Sequence, residues 1–337
     1  MRKSSKKIKI INTAIVGCGN AAAWIDLNNL KKYRHTFSHM THIEKNPKFR
    51  LVACADKSKK NLFEFSKKFK IKKTYKNSNK MLDENNIDFL IVCVPTKFHI
   101  QETKKALNHK NIKLVLCEKP FGFNYLKAKK LIQDYQIRNK ILLINYQRRW
   151  STFYNNIKKQ INKKKFGKLT NIIGIVDRAL YQHSSHMIDL SIFLAGPSKE
   201  IYGSIDKNVS PRVVHGYKDY AANIIITHKN NVKTYIKASS ETMSKRWFEL
   251  DLHFTNGRIR ILNDDTVCEI YKYKPSKQFK SCTELSLIDR RKNKYEDRMK
   301  SLYLDIENFF FKKKKLNKEN LSNIETLKII EKVLKKK

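Results

Sequence analysis

Residues 114–120 read LVLCEKP, and this stretch decides the fold. The apolar run Leu114–Cys117 has the character of a fully buried strand, and Glu118-Lys119-Pro120 places an acid, an amine and a ring-locked turn at its carboxyl end. Ligands of open parallel sheets bind at the carboxyl ends of the strands, where an amine can also be partly desolvated and serve acid/base chemistry. Lys119 is therefore a candidate catalytic group, set against the plainer possibility that it is one lysine among many, reaching to solvent.

Upstream, the short strand Thr13–Val16 runs into Gly17-Cys-Gly19-Asn20-Ala-Ala22, which fits the glycine pattern GxGxxG/A. Small residues there permit a tight turn and let a pyrophosphate approach backbone amides at a helix start. A second strand, Arg50–Ala55, ends at Asp56, an acid placed to bind an adenosine ribose. The first glycine and this acid are 39 positions apart (56 − 17), against roughly 20 in the usual fingerprint. The surplus around Asp26–His39 is read as an inserted loop, either a lid or a surface excursion. Strand and helix patterns then alternate: helix Ser58–Phe69, strand Phe89–Val94 ended by Pro95, helix Thr96–Leu107, the LVLCEKP strand, helix Tyr125–Ile137 and strand Ile141–Ile144. Continuous apolar strands between helices predict a parallel, doubly wound α/β sheet whose mouth gathers Gly17, Gly19, Asp56, Pro95, Thr96, Glu118 and Lys119.

Beyond about residue 150 the pattern changes. Leu169–Val176 reads as a strand, and His183-Ser-Ser-His186-Met-Ile-Asp189 opens a helix ended by Gly196-Pro197. The runs Ala221–Thr227, Val232–Ala238, Trp247–Phe254 and Gly257–Leu262 alternate as antiparallel strands do, and helices follow near Tyr303–Phe311 and Asn320–Val333. The pattern thus predicts a parallel doubly wound α/β part up to about residue 150 and, beyond it, antiparallel strands joined by tight turns with helices before and after them. His186 and Asp189 share a helix face at i, i+3 spacing, so the imidazole can act as a base oriented by the acid, or be an ordinary packed histidine. His183 is a rival for the same role. No metal site is expected, because two imidazoles and one acid do not form a set with the usual spacing.

Lys+Arg 72 against Asp+Glu 30 gives a net charge of +42. Such a charge suggests nucleic acid, but the lysines are spread along the chain with many Asn and Ile and form only short runs, such as Lys163–Lys165 and Lys312–Lys315. The reading adopted is a lysine-rich solvated surface that attracts small anions, with no specific nucleic-acid partner. Six cysteines lack metal-ligand spacing, and four lie in or beside apolar strands, which points to a reducing cytoplasm without disulfides. The basic start MRKSSKKIKI imitates a secretory signal, but Lys9 and Asn12 interrupt the apolar part. No run reaches membrane-spanning length, so no membrane partner is expected.

GCGNAA, the acid in CADKS, VCVPTKFH, CEKP, NYQRRW and HSSHMIDL, in this order, resemble the glucose-fructose oxidoreductase / inositol dehydrogenase (Gfo/Idh/MocA) family. The resemblance implies an N-terminal Rossmann domain, residues 1–147, a C-terminal α+β domain with a largely antiparallel open sheet, residues 148–337, and an NAD(P)-dependent oxidoreductase, with NAD as cofactor and NADP possible, acting on a sugar or nucleotide-linked sugar. By the same resemblance Lys119 and His186 are catalytic, and Pro120 is a cis proline. Tyr146, Arg149, Gln182, His183 and Asp189 adjoin the substrate. The cofactor set extends from Gly17, Gly19, Asp56, Pro95, Thr96 and Glu118 to Asn20, Ala22, His99, Lys119 and Pro120. The open sheet implies a homodimer or homotetramer, and the inserted loop with CEKP and NYQRRW resembles members associated with surface-glycan biosynthesis. Two departures stand out: the family's frequent acid four residues before the histidine is Gln182, which takes no proton, and its glycine two before is Ser184. They leave open a non-catalytic, cofactor-binding regulator on the same fold, with a nucleic-acid-binding protein as the reading from charge alone. Asp56 favours NAD, whereas Lys57 and Lys59 can serve a 2′-phosphate.

Overall fold

The computed structural model describes residues 10–28, 37–177, 179–239, 248–293, 298–316 and 323–335. They fall into two units: Met1–Trp150 with Asp297–Asn323, and Ser151–Glu296 with Ile324–Lys337. The basic start up to residue 9, most of the inserted stretch (residues 29–36), Trp247 and residues 320–322 lie outside the described residues.

In the first unit β1 (Ile11–Val16), β2 (Phe49–Ala55), β3 (Thr74–Tyr75), β4 (Phe89–Val92), β5 (Leu114–Cys117) and β6 (Ile141–Ile144) form a sheet in the order β3-β2-β1-β4-β5-β6. Every pairing in it is parallel. All residues of β4 and β5 are buried, as expected of strands covered on both faces. The helical elements are α1 (Ile25–Leu27, after a π-helical turn Asn20–Trp24), α2 (His39–Lys45), α3 (Lys59–Phe69), α4 (Ser78–Glu84), α5 (His99–Leu107) and α6 (Tyr125–Ile137). Ser58 and Asn124 cap α3 and α6 by accepting the N–H of Asn61 and Lys127. The helix expected from Thr96 begins as a 3-10 turn, Thr96–Phe98, because Pro95 holds the preceding chain extended. The strand order reverses between β1 and β4, so the carboxyl ends of β1, β4 and β5 flank the switch point where α/β sheets bind ligands.

The second unit starts with α7 (Thr152–Asn162), β7 (Leu169–Asp177) and α8 (Ser185–Ala195). It continues through β8 (Ser198–Ile205), β9 (Arg212–Val214), β10 (Tyr217–Asp219), β11 (Ala222–His228), β12 (Lys233–Ser239), β13 (Phe248–Phe254), β14 (Gly257–Leu262), β15 (Val267–Pro275) and β16 (Thr283–Lys292). An eight-stranded sheet runs β16-β15-β14-β13-β7-β12-β11-β8, and only the β7–β12 pair is parallel. The expected alternation is present: β13 is buried at every second residue from Phe248 to Phe254. The hairpin β9–β10 was not legible as a strand pair, since its two-residue turn is His215-Gly216, both at positive φ (45° and 82°), and not Asn-Gly. Two helices close the described chain: α9 (Arg298–Lys312) belongs to the first unit and α10 (Glu325–Leu334) to the second.

Candidate active site

At the mouth of the first sheet, Gly17 has φ +94°, and a Cβ there would lie 2.6 Å from the carbonyl carbon of Cys93. Only glycine lets β1 turn this close to the end of β4. A Cβ on Gly19 would meet nothing within 4 Å, so the chain offers open space above the turn where a pyrophosphate can approach. Asp56, at the end of β2, accepts the N–H of Cys18 (2.7 Å) and of Ser58 (2.8 Å). The acid expected to bind a ribose therefore also clamps the glycine turn to β2. A carboxylate has about four acceptor directions, so two bonds leave capacity for ribose hydroxyls. Beside it the Lys57 and Lys97 ammonium groups lie 4.9 and 5.1 Å from the centre of the Phe98 ring.

Glu118 and Lys119 follow β5, and the Lys119–Pro120 peptide is cis. Glu118 Oε1 accepts from Asn145 Nδ2 at 2.6 Å and lies 3.0 Å from His39 Nε2, while Oε2 accepts the Lys119 N–H at 3.3 Å. Burial pushes this carboxyl up, but the bonds from His39 and Asn145 and the nearby Lys119 outweigh it, and its pKa falls below the ordinary glutamate value. An ionised Glu118 accepts only, so the His39 Nε2 carries a proton toward it, and Nδ1 lies 2.9 Å from the Tyr303 hydroxyl. Burial, first, and the charges of Cys93 and Glu118 raise the Tyr303 pKa, so the phenol stays protonated for this bond. His39, Asn145 and Tyr303 are each 3% exposed or less.

The same region ties the inserted stretch to the site. Asp26 is 2% exposed and accepts from Phe37 N, from Ser38 N and Oγ, and from Thr41 Oγ1 at 2.6–2.9 Å. Burial raises its pKa and these bonds lower it, with the bonds prevailing. His39 opens α2 directly after this anchor, so both ends of the insertion converge on the group that grips Glu118. His99 joins the loops after β4 and β5, its two ring nitrogens each 2.7 Å from a carbonyl oxygen, of Pro120 and of Val94. Burial lowers its pKa against those two carbonyls. Pro95 precedes the turn that holds the buried Thr96. Tyr146 and Arg149 are buried around the 3-10 turn Gln147–Trp150, where the Tyr146 carbonyl accepts the Arg149 N–H at 3.1 Å.

In the second unit a π-helical turn, Leu180–Ser184, leads into α8, which carries His186 half-buried and Asp189 1% exposed. The start of this helical stretch has no side-chain cap of its own. Asp219 of β10, fully buried, supplies one from outside, accepting the N–H of Tyr181 (2.8 Å) and Gln182 (3.0 Å). The Gln182 amide donates to the Tyr217 hydroxyl at 2.9 Å. His183 turns back toward β7, its Nδ1 2.6 Å from Asp177 Oδ1.

The residues foreseen at the Rossmann mouth, Gly17, Gly19, Asn20, Ala22, Asp56, Pro95, Thr96, His99, Glu118, Lys119 and Pro120, all belong to the first unit. Gln182, His183, His186 and Asp189 belong to the second. Sequence reasoning missed His39, Asn145, Tyr303, Asp177 and Asp219. Asn145 stood in the quoted NYQRRW and His39 at the border of the insertion, whereas Tyr303 and Asp219 gave no local signal. Among the described residues no group of three or more His, Cys, Asp or Glu side chains is placed to hold a metal ion. None of the described helices is long and apolar enough to cross a membrane.

Residues 11–146 match the Gfo/Idh/MocA oxidoreductase family with an NAD-binding Rossmann fold. Myo-inositol 2-dehydrogenase of Thermotoga maritima is 26% identical over 131 residues, 38% of this chain and 37% of that protein. The chain spans less than half the length of the curated relatives it matches first. Among solved structures, a transcriptional regulator Gal80p from Kluyveromyces lactis superposes with TM-score 0.75 at 16% identity, covering 97% of this chain and 89% of that one. A 3-ketoreductase from Actinomadura kijaniata, bound to TDP-benzene and NADP, superposes with TM-score 0.71 at 14% identity, covering 97% and 98%. At such identities these two likenesses speak for the fold. The glycine turn, the acid after β2 and the Glu118-Lys119-Pro120 corner all lie within the residues that match this family model.

Proposed function

We propose that the protein is an NAD(P)-dependent dehydrogenase or reductase of a sugar or nucleotide-linked sugar, working in surface-glycan biosynthesis. The observation that carries this reading is the corner after β5, where Glu118 is gripped by His39 and Asn145 next to the lysine of a cis Lys119–Pro120 peptide. The Gly17–Asn20 turn, with its open space at Gly19, and Asp56 would hold the dinucleotide. That cofactor supplies a nicotinamide that accepts or gives hydride. The Lys119 ammonium stabilises negative charge developing on the substrate oxygen. His186 takes the hydroxyl proton in oxidation and returns it in reduction. Tyr146, Arg149 and Asp189 complete the substrate set, and the cation–π pairs at Phe98 leave room for NADP beside NAD.

The experiment is NAD and NADP reduction by a panel of polyols and nucleotide-linked sugars, myo-inositol among them. Lys119→Ala and His186→Ala are expected to lower turnover about 10²–10⁴-fold while NAD still binds in a calorimeter. Wild-type rates in both variants would remove the assignment. A regulator remains the second reading, favoured by Gln182, whose amide is spent on Tyr217; it expects NAD binding with no sugar-dependent reduction. We further propose a homodimer, or a homotetramer built from it, with a second copy against the open face of the eight-stranded sheet. Cross-strand register sets Tyr202, Ile225, Tyr235 and Ile173 in one row, continued by the alternating charges of Asp251, Arg260, Glu269 and Arg290. Such a row can pair with itself by two-fold symmetry. Light scattering of Tyr235→Asp checks it. Six cysteines without disulfides support a cytoplasmic setting.

A further inference from the structure

The hairpin of β15 and β16 outruns the sheet that carries it. β14 stops pairing with β15 at Gly257 and Lys272, so Tyr273, Lys274 and Pro275 pair with β16 alone, opposite Leu285, Glu284 and Thr283. At about 3.3 Å per residue the ribbon projects roughly 10 Å past the end of β14 before it turns. The turn is a built one. Ser276 Oγ accepts the N–H of Gln278 (3.1 Å) and of Phe279 (3.2 Å), the Ser276 N–H returns to the Cys282 carbonyl (2.9 Å), and the Cys282 N–H to the Phe279 carbonyl (3.3 Å). This frame holds Phe279 at 64% exposure.

Directly paired residues of an antiparallel ribbon share a face, and the faces alternate along each strand. Tyr273 and Leu285 therefore lie on one face with Tyr271 and Leu287, and Tyr273 and Leu287 are 44% and 48% exposed. Lys272 and Lys274 lie on the other face. Between Tyr271 and Glu284 the charged residues are four lysines and one acid, and Lys277 and Lys280 flank Phe279. An apolar apex ringed by ammonium groups suits a partner that is negative at its boundary and apolar beneath it.

Charge and chemistry together choose that partner. A second copy is repelled, since every copy carries +42. The free edge of β16 is also blunted against strand pairing, by the register shift at Ile270 and Tyr271 and by the run Arg290-Arg291-Lys292. Nucleic acid matches the lysines, but phenylalanine and leucine offer no donor or acceptor to a base edge, and leucine does not stack on one. The headgroup layer of an anionic bilayer matches both parts: phosphates meet the ammonium groups, the acyl boundary takes the ring, and the lysine stems lie along it. We propose that the β15–β16 tip docks the protein on a membrane surface rich in anionic phospholipid, with Phe279 at the acyl boundary and Lys277 and Lys280 among the headgroups. Such a contact is peripheral and needs no spanning segment, so the length of the apolar runs could not foretell it. It does not depend on the dehydrogenase reading.

The test is sedimentation of the full chain with vesicles of equal parts phosphatidylglycerol and phosphatidylcholine, and with phosphatidylcholine alone. The unmodified chain is compared with Phe279→Ser, with the tip pair Lys277→Gln/Lys280→Gln, and with the control pair Lys129→Gln/Lys130→Gln, which removes the same charge from the exposed side of α6. Circular dichroism confirms that each variant is folded. Binding to the anionic vesicles is expected to weaken about 10-fold in Phe279→Ser and about 25-fold in the tip pair, at roughly fivefold per lysine, and to change little in the control pair. No binding by the unmodified chain, or tip variants no weaker than the control pair, overturns the proposal, the latter because charge spread over the whole surface would then be the cause. A second readout is Phe279→Trp, whose emission, measured against the chain with its three native tryptophans, is expected to shift to the blue with anionic vesicles. An unchanged emission overturns the insertion. If Phe279→Ser instead breaks an assembly seen by light scattering, or abolishes binding to duplex DNA, while vesicle binding stays intact, the tip serves a second copy or nucleic acid and the membrane proposal falls.

Discussion

The two sheets of this protein bury their strands differently, and the difference says where each does its work. In the six-stranded sheet neighbouring residues on opposite faces are equally hidden: Leu90 and Ile91 are both 0% exposed. In the eight-stranded sheet the same step crosses from inside to outside: Ile226 is 0% exposed and Ile225 40%. A sheet covered on both faces has only its strand ends to offer a ligand, which is where Gly17, Asp56 and Glu118 gather. A sheet covered on one face can offer that other face to a partner.

The largest expected effects test this contrast directly. Leu90→Ala, Ile91→Ala and Ile226→Ala should each destabilise by about 2–5 kcal/mol, the lost transfer energy plus the cavity left behind. Urea unfolding followed by circular dichroism measures it. A cost below about 0.5 kcal/mol at either Leu90 or Ile91 would mean that one face of the first sheet is not packed as described.

How much of this was legible in the sequence depended on the range of the interaction. Leu114–Cys117 read as buried on both faces because no polar residue interrupts it, and the Gly17 turn read as tight because a glycine was needed there. Periodicity within β13 likewise revealed which residues point inward. The partners of those local features were not legible, since they come from far along the chain. Tyr303 reaches His39 across 264 positions, and Asp219 caps the Tyr181–Gln182 turn across 38 and 37. A single sequence carries no signal for a hydrogen bond of that span. Asp56 shows the same limit in milder form: the acid was read for its ligand, and its bond to Cys18 N, 38 positions away, was not seen.

Next in size is Glu118, where the mouth of the first sheet depends on a buried charge. Glu118→Gln keeps the shape but replaces one acceptor oxygen by a donor facing His39 or Asn145. The expected cost is about 1–3 kcal/mol at neutral pH. The sign of the pH dependence follows from the lowered pKa of Glu118 in the folded chain. A carboxyl with a depressed folded pKa stabilises fully above its unfolded value, about 4.3, and the contribution is lost as pH falls through the lower folded value. The stability gap between the unmodified chain and Glu118→Gln should therefore be constant from pH 6 to 8 and narrow below about pH 4. A gap that widens on acidification would show that Glu118 is not held ionised.

The smallest effect is expected at Ile225, and it sharpens the comparison most. Ile225→Ala removes methyl groups that are partly in water already, so a lone copy of the chain should lose under about 1 kcal/mol, well short of the loss at Ile226 one residue on. If a second copy covers the row of Tyr202, Ile225, Tyr235 and Ile173, the same substitution acts on association as well. Its cost then grows with protein concentration, because binding of a partner adds to apparent stability by mass action. Unfolding curves of both chains at two concentrations about 30-fold apart separate the cases. A cost at Ile225 that is small and independent of concentration leaves the outer face as solvent-facing surface, and the asymmetry between Ile225 and Ile226 is then purely one of burial within a single copy. A cost that rises with concentration makes that outer face part of the assembled protein's interior, and the two sheets differ only in what covers them.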